Sequence, residues 1–238
     1  MRADLLDKIR SRGYWRINFR PIVEREPLGS LSACKEIVEK SAVLLRGWDY
    51  PHFPRRLGED SGLGPAENYY EGWVDWWNHK EFWRMYETTQ FLHYLALRED
   101  WLEEDGWDAS LAKTIRPGTS LGIIGSVIYQ MSEIHEFLAR LTGAGIYDDG
   151  VRVAISLNNT KDRQLWIEDV SRAPFHHEYR TVADRLEYKK EYSKAQVMDT
   201  SRELALKAVL FMFDHFGWER PSVEIIARDQ ENLFKGRF

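Results

Sequence analysis

The segment Trp15-Arg16-Ile17-Asn18-Phe19-Arg20 alternates without a break, with Trp15, Ile17 and Phe19 on one side and Arg16, Asn18 and Arg20 on the other. Successive side chains of a strand point to opposite faces, so this pattern predicts a strand with one buried and one wet face. A face of that kind needs a second layer to cover it. Residues 151–157 repeat the pattern, with Val151, Val153, Ile155 and Leu157 against Arg152, Ala154 and Ser156. The covering layer is equally legible. Ile124, Val127, Ile128, Met131, Ile134, Leu138 and Leu141 recur at intervals of three and four, which predicts a helix over 120–142 ended by Gly143 and Gly145. Half-wet strands and amphipathic helices, without regular strand–helix–strand order, define the α+β class: a largely antiparallel sheet with packed helices.

Weaker signals fill in the rest. A short helix is expected over 4–12. Ser30 caps a second over 31–41, with Leu31, Cys34, Ile37 and Val38 inward. Residues 43–50 read as a strand stopped by Pro51, and 54–68, with two prolines and three glycines, as a loop. Residues 69–78 fit either strand or helix. Residues 82–97 suggest a hairpin turning at Thr88-Thr89, and 99–109 an acidic turn around Gly106. Asn158 to Asp162 reads as a turn into a returning strand over 163–169. A polar connection over 171–183 leads to a strand over 185–197. The capping box Thr200-x-x-Glu203 opens a helix over 200–216, and a last helix covers 222–235. The 238 residues suit one domain, with 143–150 the place where a sub-lobe boundary would fall.

Several function classes are excluded on composition. No apolar run approaches the roughly 18 residues of a membrane span, and the N-terminus lacks a signal-peptide core. The single cysteine, Cys34, excludes an internal disulfide and a Cys-rich zinc site, so a cytoplasmic location is expected. There is no Gly-x-Ser-x-Gly elbow, phosphate loop, dinucleotide fingerprint or His-Glu-x-x-His, so no cofactor, metal or catalytic residue is assigned. Charge is uneven. Residues 1–58 carry a net +5, and 59–110, with three basic and thirteen acidic residues, a net −10. Seven of the ten tryptophans fall between Trp48 and Trp107 and largely overlap that acidic stretch.

Four groups of residues are candidates for chemistry. Arg46, Trp48, Asp49, Tyr50 and His52 form the densest polar–aromatic cluster, the composition of a ligand pocket or protein interface. Arg16 and Arg20 share one strand face and suit phosphate contacts, unless they pair with Glu99 and Asp100. Glu187 and Lys189 share a strand face, as in a metal-dependent nuclease, with Asp162 or Asp169 upstream and His176 and His177 nearby. His135 lies on the apolar face of the best helix and reads as a core histidine.

The string Leu45-Arg46-Gly47-Trp48-Asp49-Tyr50-Pro51-His52, followed by Glu81-Phe82-Trp83-Arg84-Met85-Tyr86 and Gln90-Phe91-Leu92-His93, resembles an uncharacterised bacterial family. Its members stand alone or beside an AlbA/Schlafen-type nucleic-acid-binding module. The resemblance covers residues 10–105 and adds Trp83 and Tyr86 to the interface candidates. It implies an accessory or sensor role in a prokaryotic system such as antiviral defence, and carries no catalytic motif. The expected function is therefore a non-enzymatic binding module with an aromatic-rich pocket or interface. Its partner would be a protein, a second copy or a small molecule, and not a membrane. Nucleic-acid binding through the basic N-terminal third is the alternative, with a nuclease behind it.

Overall fold

The computed structural model describes residues 4–104 and 116–237. In chain order the elements are α1 (Leu5–Arg10), β1 (Tyr14–Pro21), α2 (Leu31–Ser41), β2 (Val43–Leu44), β3 (Asp49–Tyr50), β4 (Ser61–Pro65), β5 (Tyr69–Trp76), β6 (His79–Tyr86) and β7 (Phe91–Ala96). There follow β8 (Ser120–Gly122), α3 (Gln130–Gly143), β9 (Val151–Asn158), β10 (Gln164–Trp166), β11 (Arg185–Tyr192), α4 (Lys194–His215) and α5 (Val223–Phe234). A π-helical turn over Ile124–Tyr129 leads into α3.

Seven strands form one antiparallel sheet in the order β11-β9-β1-β7-β6-β5-β4. β1 lies inside it, third from the β11 edge, with Trp15 opposite Leu95 on one side and Leu157 on the other. Trp15, Ile17 and Phe19 are buried, as the alternation requires, in a core they share with residues of α2, α3 and α4. The opposite face is covered at one corner by α1, where Leu5 and Ile9 pack with Phe82, Tyr94, Ala96 and Trp101. Strands from both sides of residues 143–150 enter the same sheet, and a single core cluster spans them. The α+β class with a largely antiparallel sheet is what the chain adopts.

The departures from expectation have local causes. Residues 43–50 make a small hairpin, β2 against β3, because Gly47 takes a positive φ of 79° and turns the chain. The expected loop over 54–68 contains the edge strand β4. Its Gly62 leaves room for the ring of Trp73, which would lie 2.6–2.9 Å from an added Cβ. Residues 69–76 resolve as strand. The helix expected from 120 begins later, after β8 and the π-helical turn. The segment after Asn158 does not return along β9. Asn159 and Asp162 adopt positive φ, and buried Arg163 donates to the Asp100 carboxylate (2.8 Å) and to the Ser120 carbonyl (2.9 Å). The chain is thereby drawn aside, and β10 pairs in parallel with β8 while β11 takes the place beside β9.

The helix expected from Thr200 starts at Lys194. Its capping box is Ser193-x-x-Gln196, and Thr200 sits at a kink (φ −133°) with its hydroxyl donating to the Gln196 carbonyl at 2.8 Å. Residues 105–109 of the acidic turn, with Gly106 and Trp107, lie outside the described residues.

Candidate functional site

A cavity of about 600 Å³ opens at one end of the helix-bearing sheet face. Its walls come from the β2–β3 hairpin, the β5–β6 turn, the ends of β1 and β7, and the π-helical turn with the start of α3. The strand period supplies the sheet side. His79, Glu81, Trp83 and Met85 alternate onto one face of β6; Trp83 and Met85 enter the core, while His79 and Glu81, nearer the strand start, face the cavity.

Glu81, 2% exposed, is a hub. One carboxylate oxygen accepts the His52 peptide N–H at 2.6 Å; the other lies 3.3 Å from His79 Nε2 and 3.4 Å from His93 Nε2. Burial alone would raise its carboxyl, but the charge of His93, with the His79 and His93 imidazoles so close, outweighs that and holds it well below the usual carboxylate range. On the far side of His93, Nδ1 lies 3.1 Å from the Tyr50 hydroxyl. Burial, reinforced by the charges of Glu81 and Glu133, pushes that phenol well above its ordinary value and keeps it neutral.

Arg46 is committed within the wall. Its Nε donates to Glu133 at 2.9 Å, a second guanidinium nitrogen donates to the other Glu133 oxygen, and Nη1 donates to the Gly125 carbonyl at 3.1 Å. Such a bidentate pair fixes the hairpin to α3. Trp48 and Trp77, 49% and 63% exposed, stand at the mouth. Trp48 stacks on His79 with centroids 5.4 Å apart, and Trp76 lies 6.2 Å away.

The floor holds two more carboxylates. Glu99 accepts the Gly122 N–H at 2.9 Å and the Ser126 hydroxyl at 2.8 Å. Glu168 accepts the N–H groups of Ile124 (2.9 Å) and Gly125 (2.8 Å), so it caps the helical segment whose first amides have no partner within the helix. Burial pushes the Glu99 carboxyl up to about 7, the hydrogen bonds from Gly122 and Ser126 only partly offset it, and the charge of Glu168 adds to the rise. Burial raises Glu168 as well.

Of the expected site residues, Arg46, Trp48, Asp49 and Tyr50 meet on this wall. His52 packs behind it, its ring 4.9 Å from that of Trp76, and burial lowers its imidazole below the usual value. Trp83 does not reach the cavity: it is fully buried, and its indole N–H supports the wall from behind by donating to the His52 carbonyl at 2.8 Å. Tyr86 is at the other end of β6 against Tyr69.

Arg16 and Arg20 lie on the opposite sheet face, and they do not pair with Glu99 or Asp100. Arg16 donates to the Tyr94 hydroxyl at 3.0 Å, and Asp100 is held by Arg163 and by the amides of Gly13 and Gly118. Basic neighbours on that face are paired, Arg84 with Glu71 and Arg152 with Glu191. His135 is a core residue as expected, its Nδ1 2.8 Å from the Met131 carbonyl and its imidazole lowered by burial to about 4. His176 and His177 are exposed, and Glu187 is ion-paired with Lys189 and Arg185. Among the described residues no group of three or more His, Cys, Asp or Glu side chains could hold a metal ion, and no helix is long and apolar enough to cross a membrane.

Glu81, Glu99, Gln130, Glu133 and Glu168 are wall residues that sequence reasoning passed over. For Glu81 a signal existed: it shares strand parity with Trp83 and Met85 and so had to point inward. Comparison with known proteins adds no relative: no protein-family model, curated protein or solved structure matches the chain.

Proposed function

We propose that the chain is a binding module that holds a small-molecule ligand in this cavity, and that any accessory or sensor role is exercised through occupancy of it. The observation that carries the reading is the pair of tryptophans, Trp48 and Trp77, left about half or more exposed at the mouth of a cavity about 600 Å³ in volume. Concave sites of this size, lined by rings with a few placed polar groups, are the usual form of ligand pockets. Large apolar rings cluster in the open where something is to cover them. The carboxylates are engaged by backbone amides, by Arg46 and by histidines, which suits recognition without a covalent step. The phosphate-binding alternative through Arg16 and Arg20 is weakened by the ion pairs that neutralise their face.

Tryptophan fluorescence titrated with a chemically diverse fragment set tests the reading. Saturable binding by at least one compound, abolished in Trp48→Ala at unchanged melting temperature, is expected. A set in which nothing saturates, or binding indifferent to Trp48→Ala, removes the cavity from consideration.

A further inference from the structure

Two hydrogen-bond donors on the cavity wall lack partners. Trp15 and Gln130 are 1% and 5% exposed, both line the cavity, and neither the Trp15 indole N–H nor the Gln130 side-chain NH2 is satisfied. The Gln130 carbonyl oxygen lies 3.4 Å from Arg46 Nη2, so its nitrogen is the free end. A buried donor left unpaired costs about 1–3 kcal/mol, and two among the residues lining one cavity ask for an acceptor there. The cavity is also lined by buried Glu81, Glu99 and Glu133, which can accept further N–H groups, and by Trp48 and Trp76.

These demands narrow the occupant. An anion is repelled by the carboxylates, and of the two arginines that line the cavity Arg46 is already spent on Glu133 and Arg98 has a partner of its own. A quaternary ammonium would satisfy rings and carboxylates but offers nothing to Trp15 and Gln130. A flat heterocycle has apolar faces for the tryptophans and confines its acceptors and N–H donors to one edge.

We propose that the cavity binds an uncharged heterocycle with an amide-like edge, of the nucleobase or nucleoside class, and rejects its phosphorylated form; this rests on the cavity being a ligand site. Titration with adenosine, guanosine, cytidine, uridine, their 5′-monophosphates, choline and glucose tests it. At least one nucleoside binds saturably, and its monophosphate at least about tenfold more weakly. Gln130→Met, and separately Trp15→Phe, which keeps an aromatic side chain but removes the N–H, each weaken that nucleoside about five- to tenfold while the variant stays folded by circular dichroism. The proposal is overturned if the monophosphate binds as tightly, if neither variant weakens binding, or if choline or glucose binds and no nucleoside does. It is also overturned if the diverse fragments bind and no nucleoside does, which leaves the cavity reading standing. If nothing binds at all, both fall.

Discussion

Replacing Glu99 by glutamine isolates the energetic consequence of a carboxyl buried against the π-helical turn. The amide can keep both contacts: its oxygen accepts from Gly122, and its nitrogen donates to the Ser126 hydroxyl, which can turn to accept. Only the charge is lost. The Glu99 carboxyl rises from 4.5 to about 7 on folding, so the native state binds its proton more tightly than the unfolded chain does. The stability it contributes is complete below pH 4.5 and is lost as pH rises through about 7. At about 1.4 kcal/mol per unit, the loss amounts to about 3 kcal/mol.

The wild-type curve alone will not display it. Burial lowers His135 from 6.5 to about 4, so its contribution disappears as pH falls through nearly the same interval. The difference between Glu99→Gln and wild type removes His135 from the comparison. Urea unfolding at half-unit steps from pH 4.5 to 8.5 should show the variant equal to wild type at the acid end and about 3 kcal/mol more stable at the alkaline end. In melting temperature that is about 6–12 °C for a chain of this length. A difference that does not change with pH would refute the argument, because Glu99 would then be ionised in the native state at no cost.

Three further outcomes follow from other contacts. Arg163→Ala leaves Asp100, 1% exposed, as an uncompensated buried charge, and should cost about 3–5 kcal/mol in urea unfolding; a loss under about 1 kcal/mol would mean Asp100 finds another partner. Gly62→Ala forces a methyl to within 2.6–2.9 Å of the Trp73 ring and should cost about 1–3 kcal/mol, visible as a lower denaturation midpoint. Burial pushes the Cys34 thiol up to about 11, so a thiol reagent at pH 8 should label it only at the rate of unfolding; fast labelling of the folded chain would contradict its burial.

What could be read from the chain beforehand follows the reach of each signal. The alternation of Trp15 to Arg20 and of Val151 to Leu157 is local and strict, and both segments are strands as it requires; that they pair with each other, antiparallel, is a long-range fact the alternation does not carry. The pairing of β10 with β8 was out of reach, because it depends on Arg163 gripping Asp100, sixty-three residues earlier. The cavity was half legible. Trp48 and its neighbours announce themselves by composition. Glu168 looks like an ordinary solvated charge until the helical turn it caps is in place, and Glu99 until Gly122 and Ser126 are brought to it. The charge arithmetic misled for the same reason: Glu71, Asp75, Glu81, Glu99 and Asp100, all from the −10 segment, are buried, so much of that charge never reaches the surface.

The interior position of β1 bears on how the chain emerges from a ribosome. Residues 14–21 are made early, but their two neighbours in the sheet are residues 91–96 and 151–158. Once Ala96 is out, strands β1, β7, β6, β5 and β4 can pair, and this five-stranded sheet ends in β1 with an open edge. That edge, whose buried side carries Trp15, Ile17 and Phe19, stays unpaired until β9 has been made. An unpaired apolar strand edge is a template for intermolecular pairing. Nascent chains in which Ala96 but not Val151 has left the exit tunnel should therefore be the ones that engage chaperones most strongly, and emergence of Asn158 should release them.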